Sequence, residues 1–201
     1  MGKGQQSDVV GQTDTRDQLI HAALVLFDTN GYPRTSVEDI VAKAKVTKGA
    51  FYHHFGSKEE VLEIIHNVYV ESQIELCTRI ISEDMNPREK LRELARATIT
   101  NLNQYRAHVS VYMQDRRFLT DQRKKNVLEK RSEIDKLFNS IIEDGVRSGY
   151  FRTDVSPKLI TFGIIGMYAW VINWWKPSGS LSLEQIADQY VDVLLDGLNK
   201  K

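Results

Sequence analysis

The residues best suited to do chemistry by contact lie between Arg34 and Lys58. Five basic side chains (Arg34, Lys43, Lys45, Lys48, Lys58) stand there against two acids (Glu38, Asp39), leaving +3 in a chain of formal net charge zero. A local basic face of this kind can hold phosphates even in a neutral protein. Within it, Lys48-Gly49-Ala50 opens a short helical stretch. Glycine there costs a helix on the order of 1 kcal/mol against alanine, and a purely structural helix gains nothing in return. Small residues let the backbone approach a groove, while the Lys48 ammonium can reach a phosphate or a guanine edge. A second basic run, Gln114-Asp115-Arg116-Arg117-Phe118-Leu119, continues through Arg123, Lys124, Lys125, Lys130 and Arg131. It reads either as a solvated helix face or as the seat of a phosphate-bearing ligand, since arginine matches phosphate geometry.

A third group is aromatic. From Leu159 to Trp175 the chain carries Phe162, Met167, Tyr168, Trp170, Trp174 and Trp175 without a charge. Phe162, Gly166, Ala169 and Asn173 recur at roughly helical spacing, so small and large residues share a face, as a pocket beside a close helix crossing requires. Asn173 would be its orienting group. The other reading is a core helix packed on a partner subunit.

Catalysis has no such candidates. There is no Gly-rich phosphate loop and no nucleophile with a base, and the acids are spread along helix faces. His53 and His54 are neighbours that point apart on a helix, without Cys or acidic ligands at metal-site spacing. Neither a catalytic residue, a metal nor a cofactor is expected. The lone Cys77 excludes an internal disulfide and suits a reducing cytosol. It falls on an apolar-patterned helix and is expected to be buried. The polar stretch up to about Asp14 has no apolar core of a signal peptide and is expected to be flexible. The uncharged run ending at Trp175 is shorter than the ~20 residues of a typical membrane span. A cytoplasmic protein is expected.

Helices must position these groups. Leu19, Ala22, Ala23, Leu26 and Phe27 make a clean apolar stripe from about Thr15 to Thr29, ended by Asn30-Gly31. Thr35-Ser36-Val37-Glu38 reads as a capping box for a second short helix, and Lys48 to His54 forms a third, with Phe51 and Phe55 inward. Ser57 and Glu60 form another capping box, opening a long helix to about Ile81, with Val61, Leu62, Ile65, Val68, Tyr69, Ser72, Leu76 and Ile80 inward. Later helices follow from Asn86-Pro87 through Leu102, around Val109 to Arg116, from Asp121 to Ser148, from Ser156 to Trp175, and from Ser182 to about Leu198. The fold is expected to be all-α: a three-helix unit over residues 1–56 and a helical unit over 57–201.

Three short helices followed at once by a long fourth form a helix-turn-helix arrangement, in which one short helix is thin enough for the major groove. The stretch Gly31-Tyr32-x-x-Thr35-Ser36-Val37-x-Asp39-Ile40-Val41-x-x-Ala44-x-Val46-x-Lys48-Gly49-x-Phe51-Tyr52-x-His54-Phe55-x-Ser57-Lys58-Glu59 closely resembles the signature of TetR-family repressors. By that resemblance, Thr35 and Ser36 would hold phosphates, while Thr47, Lys48, Gly49, Ala50, Tyr52 and His53 would face the groove of a double-stranded operator. Lys58 would reach another phosphate. The later helices would bind an effector and pair two subunits through the last two helices into a homodimer.

Three further segments, Arg116-Arg117-Phe118-Leu119, Gly145-x-x-x-Gly149-x-Phe151-Arg152 and Gly166-Met167-x-x-Trp170-x-x-x-Trp174-x-x-Pro177, look like the TetR branch that answers to acyl-CoA thioesters. This resemblance implies an acyl chamber among Tyr105, Tyr112, Phe118, Phe162, Gly166, Met167, Trp170, Asn173 and Trp174. The CoA phosphates would lie near Arg116, Arg117 or the stretch from Lys124 to Arg131. Tyr168-Ala169 departs from the branch pattern, which leaves the acyl preference open. The alternative effector is a hydrophobic small molecule without CoA, as for repressors of efflux genes. An enzyme lacks its constellation here, and an adaptor binding only protein has no use for Lys48-Gly49-Ala50.

Overall fold

Most of the helices begin where a side chain offers an acceptor to the free N–H groups of the first turn. Residues 14–198 are described by the computed structural model. Asp14 caps α1 (Thr15–Asn30), Ser36 caps α2 (Val37–Ala44), Thr47 caps α3 (Lys48–His54) and Ser57 caps α4 (Lys58–Ser82). Asn86 accepts from both Arg88 and Glu89 N–H at the start of α5 (Pro87–Thr100). Then come α6 (Leu102–Asp115), α7 (Asp121–Arg147), α8 (Pro157–Trp174) and α9 (Leu183–Leu198). The α9 cap is reciprocal: Ser182 Oγ accepts from Gln185 N–H at 3.2 Å, and Gln185 Oε1 accepts from Ser182 N–H at 2.9 Å. Such caps are worth about 1 kcal/mol each. Short 3₁₀ turns occupy Tyr32–Arg34 and Arg116–Phe118.

Several details differ from the sequence reading. The first capping box sits one residue later, at Ser36 and Asp39, because the Thr35 hydroxyl is turned inward to the Gly31 carbonyl at 3.0 Å. Glu60 reaches past Ser57 and accepts from Gly56 N–H at 2.8 Å. The helix expected around Val109 to Arg116 begins at Leu102, since Asn101 keeps helical dihedrals and no Pro or Gly breaks the chain there. The expected flexible stretch over 1–14 falls outside the described residues except for Asp14, which serves as a cap. On α4 the buried stripe runs through His66, Val70 and Gln73 rather than Val68 and Ser72.

That stripe shifts because α4 belongs to two cores. One joins Phe27, Phe51 and Phe55 to Val61, Leu62 and Ile65 of α4, and it is closed by Val111, Leu119 and Val127 from beyond α5. The other gathers Val70 to Ile80 of α4 with inward faces of α5 through α9. Burial of each large apolar side chain contributes about 1.5–3 kcal/mol. The step between residues 56 and 57 therefore opens a helix but does not divide the packing. Between α2 and α3, Lys45 takes the left-handed conformation (φ 58°), and Val46 N–H returns to the Val41 carbonyl at 3.1 Å. This tight turn sets α3 across α2. Cys77 is fully buried, and burial pushes its thiol up to about 12.

The pair Gly145 and Phe151 explains one sequence segment. The Phe151 ring is fully buried against α7 at Gly145, where an added Cβ would lie 2.1 Å from Phe151 Cδ2. Gly145→Ala should therefore destabilise despite alanine's better helix propensity, by roughly 1–3 kcal/mol from overpacking. In a thermal melt this is a fall of roughly 2–10 °C for a chain of this size. An unchanged or higher melting temperature would show that the ring has somewhere else to go.

Candidate nucleic-acid interface and ligand cavity

The α3 surface follows from its inward anchor. Phe51 is fully buried and Phe55 nearly so, and this turns Thr47, Lys48, Gly49, Tyr52 and His53 to solvent, with Ala50 half-buried. Tyr52 is 53% exposed and packs edge-on against Phe51 at 5.3 Å. An exposed ring with a free hydroxyl is available for a phosphate or a base edge. Lys48 Nζ meets Glu38 Oε1 at 2.5 Å, both side chains largely exposed. That contact lowers the Glu38 carboxyl and raises the Lys48 ammonium. Thr47 Oγ1 is occupied as the α3 cap. Among the described residues no His/Cys/Asp/Glu cluster could hold a metal.

Two of the expected phosphate ligands face inward. Thr35 is 1% exposed with its hydroxyl donated to backbone carbonyls, so only Ser36 remains on the surface at that end of α2. Lys58 Nζ donates to the Tyr32 carbonyl at 2.8 Å and the Thr35 carbonyl at 2.6 Å. It also lies 4.1 Å from the centre of the Tyr32 ring. Partial burial lowers the Lys58 ammonium, with Asp115 and Asp39 opposing. The other side of the same residue is held from α6, where Tyr32 N–H donates to Asp115 Oδ2 at 3.1 Å. Asp115 is 3% exposed, and burial raises its carboxyl above the usual range. Phe118 stacks on Tyr32 at 5.7 Å. Neither Tyr32 nor Asp115 received a role from sequence. Their only signal was position, one after the glycine that ends α1 and the other beside the Arg116-Arg117 pair.

The cavity lies between α4, α5, α6, α7 and α8 and holds about 250 Å³. Its walls include Val109, Tyr112, Met113 and Arg116 of α6 and the adjoining turn, Ile134 and Phe138 of α7, and Ile165 and Tyr168 of α8. A groove of about 320 Å³ adjoins it, formed by Arg117, Leu119, Lys124, Val127 and Leu128. The two spaces share Tyr112 and Arg116, whose guanidinium lies 5.7 Å from the Tyr112 ring centre. Most of the downstream basic run is already paired. Arg123 pairs with Glu63, Lys125 with Glu129, Lys130 with Glu71 and Arg131 with Asp135. Among the described residues no carboxylate lies within ion-pair distance of Arg116, Arg117 or Lys124.

Of the expected ligand residues, Tyr112 and Arg116 line the cavity and Arg117 lines the groove. Phe162 is 51% exposed, Trp170 64% and Trp174 40%, and Gly166 and Asn173 share that outer side. The reason is helical phase. Thr161, Ile164, Tyr168 and Val171 are the buried positions of α8, so residues on its opposite face point away from the cavity. Met167 is half-buried against the larger core. Tyr105 packs on Tyr69 and His108 beside the cavity, and Phe118 belongs to the Tyr32 contact. Tyr69, Gln73, Thr98 and Tyr168 line the cavity but were not expected there. The available signal was a polar side chain on an otherwise apolar stripe.

Residues 19–65 match the family described as bacterial regulatory proteins, tetR family, and residues 84–198 match the tetracyclin repressor-like C-terminal domain. The repressor KstR2 of Mycolicibacterium smegmatis is 32% identical over 92% of this chain and 91% of its own length. The structure of the ketosteroid transcriptional regulator KstR2 of Mycobacterium tuberculosis superposes with a TM-score of 0.83 at 28% identity, covering 96% of this chain and 100% of that one. AibR in complex with isovaleryl coenzyme A and operator DNA gives a TM-score of 0.82 at 27% identity, covering 90% of this chain and 98% of that one.

One buried titratable group stands behind the cavity wall. His66 is fully buried, both ring nitrogens lack a partner among the described residues, and its ring meets Tyr112 edge-on at 5.3 Å. Burial lowers its pKa from 6.5 to about 4. The unfolded chain takes up this proton near pH 6.5 and the folded chain only near pH 4, so stability is complete above that window and falls on acidification through it. The loss reaches about 3 kcal/mol at the lower end. His66→Phe should narrow the gap between melting temperatures at about pH 7.5 and about pH 5 by roughly 4 °C. A gap as wide as in the unsubstituted protein would assign the acid sensitivity elsewhere, His108 first.

Proposed function

The chain belongs to the TetR family of transcriptional repressors, and from that premise we propose that it is a dimer released from operator DNA by an acyl-CoA thioester. The observation that carries the effector reading is the shared Tyr112–Arg116 wall between an apolar cavity and a basic groove. An acyl group fits the first, and the CoA phosphates fit Arg116, Arg117 and Lys124, which have no carboxylate partner among the described residues. AibR, solved in complex with isovaleryl coenzyme A and operator DNA, supports a CoA thioester as the class of effector. The exposed apolar face of α8 (Leu159, Phe162, Trp170, Trp174) with Val193 of α9 is the subunit contact. Two-fold pairing through α8 and α9 makes the operator a near-palindrome with half-sites read by the two α3 helices. The ligand acts through differential affinity for two arrangements of the DNA-reading units, and couplings of this kind are typically about 1–3 kcal/mol.

Lys48→Ala and Tyr52→Ala should each abolish or sharply weaken operator binding in a fluorescence-anisotropy titration, leaving helicity and dimerisation intact. Lys48→Ala should also reduce the salt slope by roughly one unit through loss of one phosphate contact. Unchanged operator affinity in both variants would sink the α3 assignment.

Effector identity is tested by adding CoA thioesters, free CoA and matching free acids to the protein–operator complex. The thioesters should release DNA while the acids and free CoA do not. The double variant Arg116→Ala with Arg117→Ala should need roughly tenfold or more thioester for release, with operator affinity retained, as expected for lost charge-assisted contacts. If the acids match the thioesters, the basic groove is a solvated surface and the effector lacks CoA.

A further inference from the structure

The cavity has a polar end. Tyr168 Oη, Gln73 Nε2 and Thr98 Oγ1 have no hydrogen-bond partner among the described residues. These residues are 3%, 2% and 9% exposed, and all three line the cavity. Buried polar groups are paired in the great majority of cases, so these three orphans, in a space that Arg131 also lines with an unpartnered Nε, need a partner that the described residues do not supply. Each has an N–H or O–H to give. Burial raises the Tyr168 phenol far above its usual range, which keeps it a donor.

Helix register places this cluster away from the basic groove. His66 meets Tyr112, and Tyr69 meets Tyr105, so α4 and α6 run antiparallel. Gln73, one turn beyond Tyr69, therefore lies toward the Leu102 end of α6. Thr98 precedes that end on α5, and the Tyr168 ring centre lies 6.4 Å from that of Phe138, well along α7 from Arg123, which pairs with Glu63 of α4. Arg116 marks the other end, fourteen residues after Leu102, or about 21 Å along a helix axis at 1.5 Å per residue.

We propose that the effector carries a neutral carbonyl oxygen on the end remote from its anionic head, received by Tyr168, Gln73 and Thr98. This rests on the cavity reading above and names the class of acyl group: an oxo-acyl chain or ring rather than plain hydrocarbon. Arg131 also lines the cavity, its Nε unpartnered among the described residues, but Asp135 at 3.9 Å balances its charge, so a neutral acceptor fits better than a second carboxylate.

The test compares decanoyl-CoA with its analogue bearing a ketone next to the methyl terminus, the corresponding alcohol, and the analogue ending in a carboxylate. Each is titrated into the protein–operator complex, as thioester and as free acid. The ketone thioester should release DNA at roughly one-tenth the concentration of decanoyl-CoA or less, because a site built to hydrogen-bond penalises a ligand lacking the group. Tyr168→Phe should shrink that ratio severalfold. Thr98→Val gives the same reading if the first variant folds poorly, and the wild-type ratio needs no variant. Equal potency of ketone and plain chain overturns the polar end while the CoA reading stands. Preference for the alcohol or the carboxylate overturns the neutral-acceptor assignment. Free ketone acids acting as well as their thioesters remove the CoA head and leave the polar end standing. No response to any compound overturns both.

Discussion

The backbone of Tyr32 joins the two halves of the molecule. Its N–H is taken by Asp115 at the end of α6, and its carbonyl is taken by Lys58 at the start of α4. The ring is held by Phe27, Phe118 and the Lys58 ammonium. A buried carboxylate and a partly buried ammonium thus hold the two peptide groups that flank Tyr32, in a short turn between α1 and α2. Hydrogen bonds to charged partners are worth about 1.5–3 kcal/mol, and more is lost if one partner is left alone. The placement of α3 depends on this turn, since α1 and α2 carry it.

The same few residues of α6 also border the space where an effector would sit. Asp115 holds the DNA-reading unit, and the next residue, Arg116, forms the wall between cavity and groove. A ligand drawing on Arg116 works one peptide away from the bond to Tyr32. His66 backs Tyr112, with no hydrogen bond to fix it among the described residues. With the effector placed as proposed, recognition and transmission would use adjacent residues, and no long relay between distant sites would be required.

The all-α fold and the exposed α3 residues were legible because short-range signals specify them: apolar stripes of period 3.6, capping side chains and the Lys48-Gly49-Ala50 start. The aromatic character of α8 was legible too, but not the direction of its face. Phe162, Trp170 and Trp174 have the composition of a pocket and the phase of an outer surface, and only packing against α7 and α5 settles phase. Lys58 and Thr35 fit a phosphate-binding signature by type, yet their polar atoms are spent on backbone groups of the turn. Gln73 and Thr98 were hidden because a polar residue on a buried stripe is visible only once the stripe is correctly placed. For α4 the stripe drifts as the helix passes from one core to the next.

That passage of α4 bears on how portable the halves are. The core around Phe27 and Phe51 is completed by Val111, Leu119 and Val127, which arrive from the sensor side of the sequence. A fragment cut after residue 56 would lose those side chains together with Asp115 and Lys58, exposing the underside of its own aromatic core. Grafting this reading head onto another sensor would have to bring the end of α6 and the first turns of α7 along. The unit that recombination can move intact is larger than the unit that touches DNA.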